Sequence, residues 1–209
     1  MKVVAINGSP NAKGNTAFAL DLVCEVLNGQ GIGTERIEIG KAAVHGCIGC
    51  GFCWEKRNRR CVFNDDLLNR VIDRLLEADG VLIGSPVYYA GMNGALKAFL
   101  DRAFFVASAS GALFRQKVGA GVVAVRRGGE ASAWEQINKY FTISEMFIPS
   151  GNYWNMVFGM EPGEAARDTE GAQNMRILGA NMAWLLKAVA AQRETLPPAE
   201  EKEMMNFIR

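Results

Sequence analysis

Apolar and polar positions follow two alternating periods along the chain. Residues 2–7 form a short, β-branched apolar run closed by Gly8, Ser9 and Pro10, the pattern of a buried strand. From Asn15 and Thr16 to about Leu27, the residues Leu20, Val23, Val26 and Leu27 recur at helical spacing, and Gly29 and Gly31 close that helix. Thr34–Ile39 alternates as a second strand. Asp65 and Asp66 stand where an N-cap belongs, ahead of Leu67, Leu68, Val71, Ile72, Leu75 and Leu76 on one helical face. A third strand is expected over 80–84, a helix over 93–107, a fourth strand over 118–125 and a helix over about 131–146. A short strand near 147–150 and a long helix over about 168–192 complete the pattern.

Strands alternating with helices predict a parallel sheet covered on both faces. Residues 1–192 read as one domain, with a loop insertion at 40–64, and 193–209 as a C-terminal tail set off by Pro197 and Pro198. The tail reads equally as a terminal helix or as an arm reaching another subunit. No repeat of solenoid period and no low-complexity tract interrupts the order.

Charge and cysteine usage narrow the function classes. The 209 residues carry 23 Lys and Arg against 22 Asp and Glu, a balance that argues against a dedicated nucleic-acid binder. No run approaches the ~20 apolar residues of a membrane span, and the N-terminus turns polar too soon for a secretory signal. A cytoplasmic location with reduced thiols is therefore expected. Four of the five cysteines lie between 47 and 61, which points to metal or cluster chemistry, or spare thiols, before disulfides.

The first strand runs into Gly8-Ser9-Pro10-Asn11-Ala12-Lys13-Gly14-Asn15-Thr16. Backbone amides and the hydroxyls of Ser9 and Thr16 at a helix N-terminus make a phosphate cradle. Neither the Walker A pattern nor the G-x-G-x-x-G fingerprint is present, so a single terminal phosphate suits it better than a triphosphate with magnesium. After the third strand, residues 85–94 place Tyr88 and Tyr89 between Pro86 and Gly91, where aromatic faces can stack on a planar heterocycle. In a sheet of order 2-1-3-4-5 these two loops flank the crevice where strand order reverses, the usual ligand position.

Gly8-Ser9-Pro10 with Gly14-Asn15-Thr16, then Ser85-Pro86-Val87-Tyr88-Tyr89, then Leu96-Lys97-Ala98-Phe99-Leu100-Asp101-Arg102, resemble the flavodoxin-like NADPH-dependent FMN reductase family over about 1–190. The resemblance implies an α/β, flavodoxin-like, doubly wound five-stranded parallel sheet of order 2-1-3-4-5 with helices on both faces. It also implies FMN as cofactor and a homodimer or homotetramer with the flavin near a subunit interface. Ser9, Asn11, Gly14, Asn15 and Thr16 would hold the FMN phosphate, and Pro86, Val87, Tyr88, Tyr89 and Gly91 would line the isoalloxazine. Arg126, Arg127, Gly128 and Gly129 match the third flavin-side loop, although the arginine pair departs from its glycine-rich form. A cation there would stabilise an anionic reduced ring or meet the 2′-phosphate of NADPH; the pair also reads as a solvated surface loop. Tyr153, Trp154 and Asn155, expected just after the fifth strand, read as aromatic surface for a neighbouring subunit's flavin or as cover for a core edge.

Cys47-x2-Cys50-x2-Cys53-x7-Cys61 is the most pointed chemical signal. Its spacing suits a four-thiolate cubane and resembles the iron–sulfur flavoprotein branch of the family, which holds a [4Fe–4S] cluster close to FMN. Structural zinc and a metal-free loop are the other two readings. Lys56, Arg57, Arg59 and Arg60 could offset cluster charge, receive an acidic partner or form a solvated hairpin. Cys24 reads as a core thiol, and His45, the one histidine, as structural or surface; a Ser-His-Asp scheme is disfavoured.

The expected function is an FMN-dependent NAD(P)H oxidoreductase passing electrons to a quinone, a flavin or another acceptor. No acid–base residue is obligatory for it. The alternative is an electron carrier in which FMN and a [4Fe–4S] cluster exchange electrons with a redox protein.

Overall fold

A computed structural model of the chain describes residues 1–201, 203 and 205. Its parallel strands are β1 (Lys2–Asn7), β2 (Gly33–Glu38), β3 (Gly80–Tyr88), β5 (Val118–Val125) and β6 (Met156–Phe158), with the two-residue β4 (Gly91–Met92) folded back antiparallel on β3. The sheet order is β2-β1-β3-β5-β6, so the five parallel strands follow the expected doubly wound order. The helices are α1 (Asn15–Gly29), α2 (Phe52–Lys56), α3 (Leu68–Glu77), α4 (Gly94–Ala109), α5 (Glu130–Ile143) and α6 (Thr169–Ala191).

The central strands read as continuous apolar runs because both faces are covered. Val3, Ala5 and Leu82 point into a core with Leu20 and Val23 of α1 and Met175, Leu178 and Met182 of α6. Val4, Ile6 and Ile83 point the other way, against Leu68 and Val71 of α3, Phe99 and Leu100 of α4, and Ile137 and Phe141 of α5. None of the helices of the described residues is long and apolar enough to cross a membrane.

The registers bring the loops after β1 and β3 out side by side. Asn7 pairs with Gly84, and Gly8 donates its N–H to the Gly84 carbonyl at 2.8 Å. Beyond Gly84 the β1 side of β3 is free, so Pro86, which lacks a donor, sits in register with Ala124 of β5 without breaking a ladder. This continued pairing makes β3 longer than the 80–84 expected from the apolar run.

One expected strand is misplaced. At 147–150 only Phe147 pairs, opposite Val118, and the chain then leaves the sheet and returns as β6 opposite Val123. Ser150 and Asn152 to Asn155 belong to this excursion, so Tyr153 and Trp154 precede the edge strand instead of following it. Proline at 149 and glycine at 151 explain the interruption, since one has no N–H for the ladder and the other no side chain to pack. The Asp65–Asp66 cap is also modified: α3 starts at Leu68, whose N–H is accepted by Asp66 Oδ1 at 3.1 Å. In the tail, a 3-10 turn spans Arg193–Thr195, and the Pro197 carbonyl accepts from Arg115 and Gln116, so this part folds back on the body. The remainder of the 193–209 tail falls partly outside the described residues.

Candidate functional site

At the C-terminal ends of β1, β3 and β5 a cleft of about 280 Å³ is lined by Ser9, Asn11, Gly14, Asn15, Thr16, Pro86, Val87, Tyr88 and Arg126. Nine of the thirteen residues picked out for this ligand therefore meet in one place. Tyr89, Gly91, Arg127 and Gly128 are not among its walls. Tyr89 and Ala90 form the tip of the β3–β4 hairpin, both at positive φ (47° and 61°), at roughly 1–2 kcal/mol of strain per residue. That turn leaves the Tyr89 ring wholly in solvent. Gly91 lies in β4 beside Gln136 of α5.

The phosphate side of the cleft is built by short-range hydrogen bonds. The Asn7 side chain accepts from Ser9 N–H at 3.0 Å, Ser9 Oγ from Asn11 N–H at 3.1 Å, and Asn11 Oδ1 from Lys13 N–H at 3.0 Å. Phe18 N–H closes the first helical bond of α1, on the Gly14 carbonyl at 3.0 Å. The amides of Asn15, Thr16 and Ala17 thus lack a carbonyl one turn back inside α1 and point out of its N-terminus. Ser9 and Thr16 are 7% and 1% exposed, so their hydroxyls sit in a cradle with little competing water. Three amide donors and two hydroxyls at the positive end of a helix suit a phosphate monoester.

The Asn15 side chain has another task. Its Nδ2 donates to the Glu161 carbonyl at 3.0 Å, and its Oδ1 accepts from Gly163 and Ala165 N–H, each at 3.1 Å. The Asn15 side chain is thus engaged with the 159–165 segment, through Oδ1 and one of its two Nδ2 hydrogens, while its backbone N–H faces the cradle. The partner segment, 159–165, supplies the walls that sequence reasoning missed: Gly159, Met160 and Pro162, with Ala124 beneath. The run Gly159-Met160-Glu161-Pro162-Gly163 carried a turn signal that could have marked a fourth loop.

The cysteines form a second centre. Cys47, Cys50, Cys53 and Cys61 all line one cavity, together with Phe52, Phe63, Phe105 and Arg102. Cys47 and Cys50 are exposed, whereas Cys53 and Cys61 are half-buried. Burial, with the neighbouring Cys47 and Cys61, pushes the Cys53 thiol up. Among the described residues no three His, Cys, Asp or Glu side chains converge as a lone ion requires. Four thiols on the wall of one cavity are the donor set of a multinuclear cluster, one thiolate per iron. The room at the centre is about 20 Å³, that of one water, so a cluster would require the Cys47–Gly51 stretch to move outward. Gly49 and Gly51, at positive φ with open space around them, leave that side unobstructed. The donors fit the group in kind and number.

The other singled-out residues have structural settings. Cys24 lies on the buried face of α1, and burial pushes its thiol up to about 11. His45 stacks on Phe63 at 4.5 Å and meets Asp65 at 3.1 Å. In the basic stretch Arg60 pairs with Asp73 and Lys56 with Glu55. Asn155 Oδ1, like the indole N–H of Trp134, is buried with no partner among the described residues.

A doubly wound sheet with its ligand loops at the strand-order switch defines a flavodoxin-like protein. The chain belongs to the NADPH-dependent FMN reductase family, whose sequence pattern matches residues 1–161. It is 36% identical over 200 residues to an iron–sulfur flavoprotein of Methanocaldococcus jannaschii, covering 90% of this chain and 99% of that one. It is 28% identical over 196 residues to an iron–sulfur flavoprotein of Methanosarcina thermophila, covering 93% and 100%. In fold it resembles RosB, solved with 8-demethyl-8-formylriboflavin-5′-phosphate (TM-score 0.67, 13% identity, 100% of this chain and 92% of that chain). It also resembles a flavodoxin from the domain Archaea (TM-score 0.59, 16% identity, 90% and 99%).

Proposed function

We propose that this chain is an FMN-dependent oxidoreductase that takes electrons from NAD(P)H and delivers them to a quinone, a flavin or another acceptor. The observation that carries the reading is the meeting of all three flavin-side loops on one cleft, phosphate cradle at one end and Pro86, Val87 and Tyr88 at the other. Bound FMN would supply the two-electron hydride chemistry and its exchange with one-electron carriers. The amides of Asn15, Thr16 and Ala17 and the hydroxyls of Ser9 and Thr16 anchor the phosphate, which fixes the ring's distance along the cleft. Arg126, exposed on the rim, places a cation where an anionic ring edge or a nucleotide phosphate would lie. The exposed Tyr153, Trp154, Phe158 and Met160, on edge strand β6 and the segments flanking it, support assembly into a homodimer or homotetramer. A cytoplasmic setting would keep the cysteines reduced.

A second reading, the electron carrier, is favoured by the single cavity lined by Cys47, Cys50, Cys53 and Cys61. A [4Fe–4S] cluster there would pass single electrons between FMN and a redox protein. Anaerobic visible spectra before and after NADPH, with iron and sulfide analysis, separate the two. Bleaching of the flavin band by NADPH supports the oxidoreductase, and about four irons per chain with no bleaching supports the carrier alone. A chain that binds no FMN even when it is added overturns both.

A further inference from the structure

Arg102 of α4 is only 1% exposed, and nothing in the flavin cleft uses it. Burying a guanidinium is costly unless its charge and its donors are matched. Asp66, equally buried, accepts from Nη1 and, at 3.3 Å, from Nη2, which neutralises the charge. Two of the three remaining donors go to the cysteine segment. Nη1 reaches the His45 carbonyl at 3.1 Å, and Nε donates to Cys61 Sγ at 3.2 Å. The guanidinium carbon lies 5.2 Å from the Phe63 ring centroid.

A neutral thiol is a weak acceptor, whereas a thiolate bonded to iron carries charge that a donor can disperse. The Nε–H therefore points at one of the four sulfurs that would share a cluster's added electron. We infer that Arg102 is a positioning residue that fixes Cys61 in the cavity and raises the cluster's reduction potential through its hydrogen bond to that sulfur, with Asp66 setting how much of its positive charge is felt. The inference rests on the cluster reading above and deepens it.

The test is a redox titration, followed by the cluster's electron paramagnetic resonance signal, on anaerobically prepared protein of known iron content. Arg102→Lys keeps a cation but loses the planar Nε–H, and it shifts the potential to a more negative value. Asp66→Asn keeps the acceptor shape but removes the compensating charge, and it shifts the potential the opposite way. In the paired Arg102→Met/Asp66→Leu protein, apolar side chains replace the ion pair and guard against misfolding of the single variants. Its potential also moves to a more negative value. A full complement of iron with unmoved potentials, or shifts of one sign in both single variants, overturns the inference while leaving the cluster reading intact. Wild-type protein that assembles no cluster overturns that reading, and the inference with it.

Discussion

Asn15 and Glu161 clasp across the flavin-side cleft: the Asn15 amide donates to the Glu161 carbonyl at 3.0 Å and so fastens the start of α1 to the segment after β6. Its Oδ1 takes two further N–H groups of the same segment. One side chain thus joins the wall legible in the sequence to the wall that was not.

Asn15→Ala is expected to destabilise the fold by about 1–3 kcal/mol, because two N–H donors lose their acceptor at a largely buried position. Urea unfolding should show a lower midpoint with unchanged slope. FMN affinity should fall too, as the far wall loosens.

Ser9→Ala with Thr16→Val is expected to weaken FMN binding by about 1–3 kcal/mol, the scale of hydrogen bonds lost to a charged group. Riboflavin, which has no phosphate, should bind the double variant and the wild type alike. Calorimetric titration with both ligands checks this, and an unchanged FMN affinity would count against the phosphate assignment.

Gly40→Ala should disturb the same cradle from behind. A Cβ at Gly40 would lie 2.1 Å from the Ser9 carbonyl carbon, a backbone atom that cannot rotate away. Overpacking of this kind costs roughly 1–3 kcal/mol. Weaker FMN binding together with a lower unfolding midpoint is the expected outcome.

The apolar runs and their period carried most of this architecture. Strands over 2–7 and 118–125 and the helix ending near Ala191 stand close to where periodicity puts them, because β-branched runs and amphipathic spacing report burial directly. The edge strand departs from the expected 147–150 because its pairing is split between Phe147 and Met156, and a three-residue strand has no period to detect. Residue type and the family resemblance both put Tyr89 on the ligand wall, but the tight turn with Ala90 carries it into solvent. The Arg102–Asp66 pair was invisible because 36 residues separate two charges that only the α3–α4 packing brings together.

That pair also sets an acid limit. Burial alone would raise the Asp66 pKa, yet hydrogen bonds from Arg102, Leu68 N–H and His45 N–H, with the arginine's charge, hold it below the ordinary carboxylate value. A depressed folded-state pKa gives stability that is present above the unfolded-state value, about pH 4, and is lost as pH falls through the folded-state value. Unfolding curves from about pH 6 downward should therefore decline less steeply for Asp66→Asn than for the wild type.

The anchoring of the cysteine segment limits its portability. Two of its points, the His45 carbonyl and the Cys61 sulfur, hang on an arginine that is not part of the segment but is held in α4 by the core. Residues 40–64 moved as a cassette onto another flavodoxin-like scaffold would bring the four thiols without the fixture that orients them. A recipient would need an arginine at the matching turn of its fourth helix and an aspartate at the head of its third.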